Sequence, residues 1–134
     1  MAASVHGLAF GQERALHVYR QTRVETASPG ELVLMLYNEA IKDMKNAVAL
    51  IGRKDIAGSG ECLLKTEDII DELRGSLNLS AGGDLARKLY SVYEYIYSRL
   101  VEANLKKASA PLEDAVKVMI ELRTGWEEAL GRHG

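Results

Sequence analysis

TASPGELVLMLYNEAI, which runs from Thr26 to Ile41, is the stretch of this chain that decides the fold. Ser28 is a favourable N-cap, Pro29 suits the first helical position, and Glu31 completes a capping box. Apolar side chains then follow without a break over residues 32–37, so this end of the helix is hydrophobic on every side. Such a helix must be enclosed by neighbours, and the stretch therefore predicts the central helix of a bundle.

Three further helical patterns follow, joined by short links. The first helix is predicted to end at Gly52 in the left-handed conformation, and Asp55 offers an N-cap for the second helix. Residues 78–83 read as a polar turn, after which Asp84 is predicted to cap a third helix, and Pro111 opens a fourth. Short links make consecutive helices antiparallel neighbours. The patterns thus predict an all-α protein, an antiparallel up-down-up-down four-helix bundle with a short N-terminal amphipathic segment.

Apolar residues at helical spacing predict the core of this bundle. In the second helix they recur every seven residues, at Ile56, Leu63, Ile70 and Leu77. Leu85 is predicted to begin the core stripe of the third helix. The opposite faces should be solvated, and they include Asp43 in the first helix and the carboxylates Glu67, Asp68, Asp71 and Glu72 in the second.

The N-terminal part of the chain carries much weaker signals. Residues 1–24 are predicted to be a flexible segment, with the bundle domain over residues 25–134. Leu16 and Tyr19 are the main apolar members of a short amphipathic pattern after residue 12. That pattern is too short to form a stable helix alone, so we expect it to dock on the bundle as a cap or to remain loose.

Composition excludes several classes of partner and location. The chain has 134 residues, a formal net charge of −2 and one cysteine, Cys62. This balance, with basic residues scattered along the chain, predicts neither nucleic-acid binding nor membrane insertion. A single cysteine in a helical pattern reads as a small buried side chain, and together with the lack of a signal-peptide pattern it predicts a cytoplasmic protein.

Chemical sites are weakly indicated. A di-iron bundle needs Glu-x-x-His pairs on facing helices, but the histidines are His6, His17 and His133, all outside the predicted helices. No glycine-rich phosphate loop or nucleophile and histidine pairing is present in the sequence. We therefore expect no catalytic residue, no metal and no cofactor, and the chain is predicted not to be an enzyme.

Extra apolar side chains give a better functional signal. They lie off the main core stripes, on three helices, and are Leu64, Tyr90, Tyr97, Val101 and Ile120. Isolated exposed apolar residues are ordinary in bundles, and that alternative stays open for each position. Their joint occurrence, with four tyrosines in residues 90–97, favours a binding groove for a partner.

Several blocks of the chain, taken in order, resemble the flagellar secretion chaperone family FliS. They are TASPGELVLMLYNEAIK (26–42), LLKTEDIIDELRGSL (63–77), LYSVYEYIYSRLVEANLKK (89–107) and IELRTGWEEA (120–129). The resemblance implies a small cytoplasmic helical bundle that binds the disordered C-terminal region of flagellin and prevents its premature polymerisation. It also implies help in delivery to the type III export gate.

The resemblance implies a role for the N-terminal segment as well. The family's pair of hydrophobic positions three residues apart matches Leu16 and Tyr19, which would cover part of the bundle when flagellin is absent. The partner-binding set expected from the sequence is therefore Leu16, Tyr19, Leu64, Tyr90, Tyr97, Val101 and Ile120. The alternative is a structural or self-associating helical bundle without a flagellin client.

Overall fold

The computed structural model describes residues 28–131, and these form four helices that pack as an up-down bundle. The helices are α1 (Pro29–Gly52), α2 (Ile56–Gly75), α3 (Gly83–Lys106) and α4 (Ala110–Ala129). Helix α1 packs against α2 and α4, and α3 packs against the same two helices. Helices α1 and α3 therefore stand at opposite corners of the bundle, as do α2 and α4. The predicted all-α fold is confirmed, and residues 1–24, with Leu16 and Tyr19, lie outside the described residues.

The first two helix starts follow the predicted capping chemistry. The Glu31 amide donates to Ser28 Oγ at 3.1 Å, and the Ser28 amide donates back to Glu31 Oε1 at 3.3 Å. The Gly58 amide donates to Asp55 Oδ1 at 2.9 Å at the start of α2. Each bond satisfies an amide that has no partner within its own helix.

The first helix ends at Gly52 as predicted, but the left-handed residue after it and the start of α3 differ from the prediction. Gly52 is the last residue of α1, and Lys54 takes the left-handed conformation with φ 62°. Asp84 does not cap α3, since that helix begins one residue earlier with Gly82 at its cap. The turn is held instead by Asn78, whose Oδ1 accepts from the Ala81 amide at 3.0 Å and whose carbonyl accepts from the Gly82 amide at 2.7 Å.

One continuous apolar core fills the space between the helices. Its largest fully buried side chains include Tyr37, Met44, Leu63, Ile69, Ile70, Leu73, Tyr93, Ile96, Leu100, Leu112 and Met119. The hydroxyls of Tyr37 and Tyr93 meet across the bundle at 2.7 Å and join α1 to α3, which stand at opposite corners. Both phenols are buried with a partner, which is what their polar ends require.

Four side chains differ from the prediction in whether they are buried or exposed. Asp43 and Glu72 are buried, at 5% and 2% exposed, although the sequence placed them on solvated faces. Ile56 and Leu85 are 47% and 66% exposed, although both were predicted to lie in the core. Both stand in the first turn of their helices, near the ends of the bundle, where fewer neighbours are available to cover them.

Candidate client-binding groove

Helix α3 presents an apolar stripe to solvent. Tyr90, Tyr97, Val101 and Leu105 follow one another at intervals of seven, four and four residues, which places them on one side of the helix. Tyr90 and Val101 are each 37% exposed and Leu105 is 78% exposed, while Tyr97 is partly buried against the core. Apolar side chains in such a row form one continuous surface about four turns long.

Helix α2 supplies the other wall beside this stripe. The Arg74 guanidinium donates to Glu94 Oε2 at 3.0 Å and lies 4.6 Å from the centre of the Tyr97 ring, which fixes how the antiparallel helices align. Ten residues back along α2, Leu64 is 55% exposed and stands level with the part of α3 that holds Leu105. We call this surface the α2–α3 groove: Leu64, Tyr97, Val101 and Leu105. Tyr90 lies two turns before Tyr97 on α3, past the level at which α2 ends at Gly75.

A shallow hollow marks one end of this surface. It has a volume of about 300 Å³ and is lined by Ser98, Val101, Glu102, Leu105 and Lys106. All five lining residues belong to α3, so the hollow lies on the exposed face of that helix, and Val101 and Leu105 form its apolar part.

Carboxylates crowd the α2 side of the groove. Burial, followed by repulsion from Asp68 and Asp71, raises the pKa of Glu67 above its usual range. Burial and then repulsion from Asp71 raise the pKa of Asp68. The same carboxylates act on the phenol of Tyr97. Burial, and then repulsion from Glu67 and Asp71, raises its pKa. This edge therefore carries an excess of negative charge beside apolar side chains.

The alignment of α2 and α3 brings three of the seven predicted partner-binding residues to one surface. Leu64, Tyr97 and Val101 lie in the α2–α3 groove, and Tyr90 continues the apolar stripe of α3 beyond the end of α2. Ile120 does not lie there. It stands one helical turn before Arg123, whose Nη1 donates to Asn38 Oδ1 of α1 at 3.0 Å, so Ile120 is on the α1 side of α4. It packs against the core there.

Leu105 was missed by the sequence reasoning. It is the most exposed of the large apolar side chains in the described part of the chain. The signal was available, because Leu105 follows Val101 by four residues and so continues the same face. Tyr95 is 45% exposed but lies on another side of α3, with the Arg99 guanidinium 5.9 Å from its ring centre.

Metal-binding clusters and membrane-spanning helices are absent between residues 28 and 131. No group of three or more histidine, cysteine, aspartate or glutamate side chains within that range is arranged to hold a metal ion. Among the described helices, none combines the length and apolar character needed to cross a membrane. Burial raises the pKa of the Cys62 thiol, which disfavours the reactive thiolate.

The fold and the exposed stripe define a four-helix bundle with an extended apolar face on α3. Residues 12–133 match the family described as flagellar protein FliS, and this chain belongs to that family. It is 36% identical over 121 residues to the flagellar secretion chaperone FliS of Bacillus subtilis, covering 87% of this chain and 90% of the relative. It is 30% identical over 118 residues to that of Vibrio cholerae, covering 85% and 87%.

A solved structure shows the same fold. The crystal structure of a flagellar chaperone from bacteria aligns with a TM-score of 0.74 over 90% of this chain and 98% of that one, at 23% identity. The family is one of chaperones, which is not an enzyme class.

Proposed function

We propose that this chain is a cytoplasmic flagellar export chaperone that binds the disordered C-terminal segment of flagellin in the α2–α3 groove. Binding prevents premature polymerisation, and the complex is then delivered to the type III export gate. Membership of a flagellar secretion chaperone family supports the export role. The exposed apolar side chains of the groove are the observation that carries the client site.

The energetics of capture favour a long surface over a single pocket. A disordered segment loses about 1 to 2 kcal/mol of backbone entropy for each residue that becomes ordered. Burial of apolar area contributes about 25 cal/mol per Å², so many contacts and new helical hydrogen bonds in the client are needed to offset that loss. A row of apolar side chains about four turns long fits an amphipathic helix laid along it.

The groove is tested by the double variant Leu64→Ser/Leu105→Ser. Both side chains are more than half exposed, so the bundle should remain folded while affinity for a flagellin C-terminal fragment falls by about tenfold or more. Titration calorimetry measures the affinity, and circular dichroism of the mixture should show more helix than the sum of its parts.

Leu85→Ser is the matched control for this experiment. Leu85 is also an exposed leucine of α3, but it lies about 30 Å from Leu105 along the helix. The control should bind the fragment as the wild type does. Unchanged affinity in the double variant, or additive dichroism spectra at saturating concentrations, would place the client elsewhere.

The proposal extends to the N-terminal segment, residues 1–24. Burying Leu16 and Tyr19 would release about 3 to 5 kcal/mol, most of which is offset by ordering the segment, so docking should be marginal. A weakly docked cap competes with the client and lowers its apparent affinity. Deleting residues 1–24 should therefore speed fragment association in stopped-flow measurements, with little change in melting temperature. A sharp fall in melting temperature with an unchanged rate would make the segment part of the core.

A further inference from the structure

The α2–α3 groove has an apolar floor, which includes Leu64, Val101 and Leu105, and an acidic edge, which is formed by Glu67 and Asp68. Glu67 and Asp68 are half-buried on α2, between Leu64 and Arg74 in the chain. Asp71 forms an ion pair with Arg74, and the Arg74 guanidinium also binds Glu94. Arg74 is thus already paired with two other carboxylates. Burial and then repulsion from Asp68 and Asp71 raise the pKa of Glu67, while burial and then repulsion from Asp71 raise the pKa of Asp68.

A partner that binds this surface must complement both its apolar side chains and its acidic edge. Its apolar side chains would cover Leu64, Val101 and Leu105, and its edge would then lie against Glu67 and Asp68. A second copy of this chain using the same groove in a two-fold dimer would bring two acidic edges into one interface, which adds like charge there and is unfavourable. A partner with Lys or Arg beside its apolar anchors would gain attraction at the same positions.

We propose that the groove selects an amphipathic helix whose apolar face is flanked by basic side chains that pair with Glu67 and Asp68. This inference deepens the proposed function and rests on the groove being the client site. The carboxylates then act in specificity, since they favour a basic edge and reject an acidic one, while the apolar floor supplies most of the affinity. Because both groups are partly desolvated, their attraction should exceed that of a fully exposed pair.

Two synthetic helical peptides test this selectivity on the full chain. Both carry the same row of leucines, and the flanking positions hold Lys in one peptide and Glu in the other. Fluorescence anisotropy should show the Lys peptide binding about tenfold more tightly at about 0.05 M salt, with the preference falling to about twofold at about 0.5 M salt because the charges are screened.

The variant Glu67→Gln/Asp68→Asn should lose that preference while it still binds the Lys peptide. Glu113→Gln/Asp114→Asn is the matched control, because these two neighbouring carboxylates lie exposed on α4, away from the groove. This control variant should prefer the Lys peptide to the same extent as the wild type does. Equal affinity for the two peptides, a preference for the Glu peptide, or a preference that survives in Glu67→Gln/Asp68→Asn would overturn the inference. The inference would also be overturned if neither peptide bound. It would be overturned as well if light scattering showed a dimer that the variant Leu64→Ser dissociates.

The outcomes separate this inference from the proposed function. If the flagellin fragment binds and depends on Leu64 and Leu105 but the peptides show no preference, only the charge selectivity is wrong. If the peptides show the preference and the flagellin fragment does not bind, the groove still selects a basic amphipathic helix and the client is a different one.

Discussion

At the scale of single residues, the centre of the bundle is a polar contact in an apolar core. Tyr37 and Tyr93 are 0% and 2% exposed, and their hydroxyls are 2.7 Å apart. Burial raises the pKa of both phenols, so the pair stays neutral. Tyr37 also meets Trp126 edge to face at 5.9 Å between ring centres, and Trp126 Nε1 donates to the Gly30 carbonyl at 2.9 Å. This chain of contacts joins α1, α3 and α4.

Tyr93→Phe should destabilise the protein by about 1 to 3 kcal/mol, because the Tyr37 hydroxyl is then buried without its partner. Tyr37→Phe should have a similar effect for the same reason. The double variant should cost clearly less than the sum, since no hydroxyl is left unpaired. Urea unfolding of the four proteins measures this coupling, and additive losses would show that the two hydroxyls do not depend on each other.

Asp43 makes folding sensitive to pH. Burial, followed by repulsion from Glu39, raises its pKa to about 6, against partial compensation by Lys65 and Lys42. A folded-state pKa above the unfolded value means that the folded protein holds the proton more tightly, so stability falls as pH rises from about 4 to about 6.

Asp43→Asn should therefore raise the free energy of unfolding at pH 7 by about 1 to 3 kcal/mol and have little effect below about pH 4. Chemical unfolding across this pH range measures the difference between variant and wild type. Asp114→Asn, at an exposed position on α4, is the control and should change stability little at any pH. A loss of stability at pH 7 in Asp43→Asn would mean that the charged carboxylate makes a necessary contact.

At the scale of the helix, the first turns of α2 hold two glycines with different surroundings. A Cβ at Gly60 would meet nothing within 4 Å. A Cβ at Gly58 would lie 2.7 Å from Asp55 Oδ2, on the carboxylate that caps the helix. Gly60 therefore lowers the stability of the helix, whereas Gly58 leaves room for the Asp55 carboxylate that caps it.

Gly60→Ala should stabilise the protein by about 0.5 to 1 kcal/mol, because alanine loses less backbone entropy within a helix. Gly58→Ala should give no such gain and should destabilise if the Asp55 carboxylate has to leave the Gly58 amide. Thermal unfolding compares the two alanine variants directly. Equal stabilisation by both would show that the cap contributes little.

At the scale of the whole molecule, folding and binding should use different side chains of the same helix. Ile70 is fully buried and Leu64 is 55% exposed, and both belong to α2. Ile70→Ala should cost about 2 to 5 kcal/mol through lost burial and the cavity left behind. Leu64→Ala should change stability by about 0.5 kcal/mol or less.

Denaturant unfolding of Ile70→Ala and Leu64→Ala measures their stability, and titration with the flagellin fragment measures their affinity. Leu64→Ala should weaken fragment binding in a protein of normal stability. A loss of stability in Leu64→Ala comparable to that in Ile70→Ala would show that the groove is part of the core and would remove it as a client site.

The sequence by itself determined the helices and the fold class. Capping at Ser28 and Asp55 and the periodic apolar stripes are local signals, because a helix start and a helix face depend on residues within a few positions of each other. Where several neighbouring residues share a local signal, the sequence reasoning chose the wrong one: Lys54 rather than Gly52 takes the left-handed conformation, and Gly82 rather than Asp84 stands at the cap of α3. The family resemblance, now confirmed, rested on the same ordered blocks.

Only the tertiary structure decided which faces meet. Periodicity gives the angle of a side chain around its own helix, whereas burial depends on where the neighbouring helices stand. The sequence could not show that Tyr37 reaches Tyr93 across the bundle, that Asp43 is covered, or that Leu64 stands level with Leu105 while Ile120 lies on the α1 side of α4. These facts depend on the positions of four helices at once, and no single stretch of the chain carries that information.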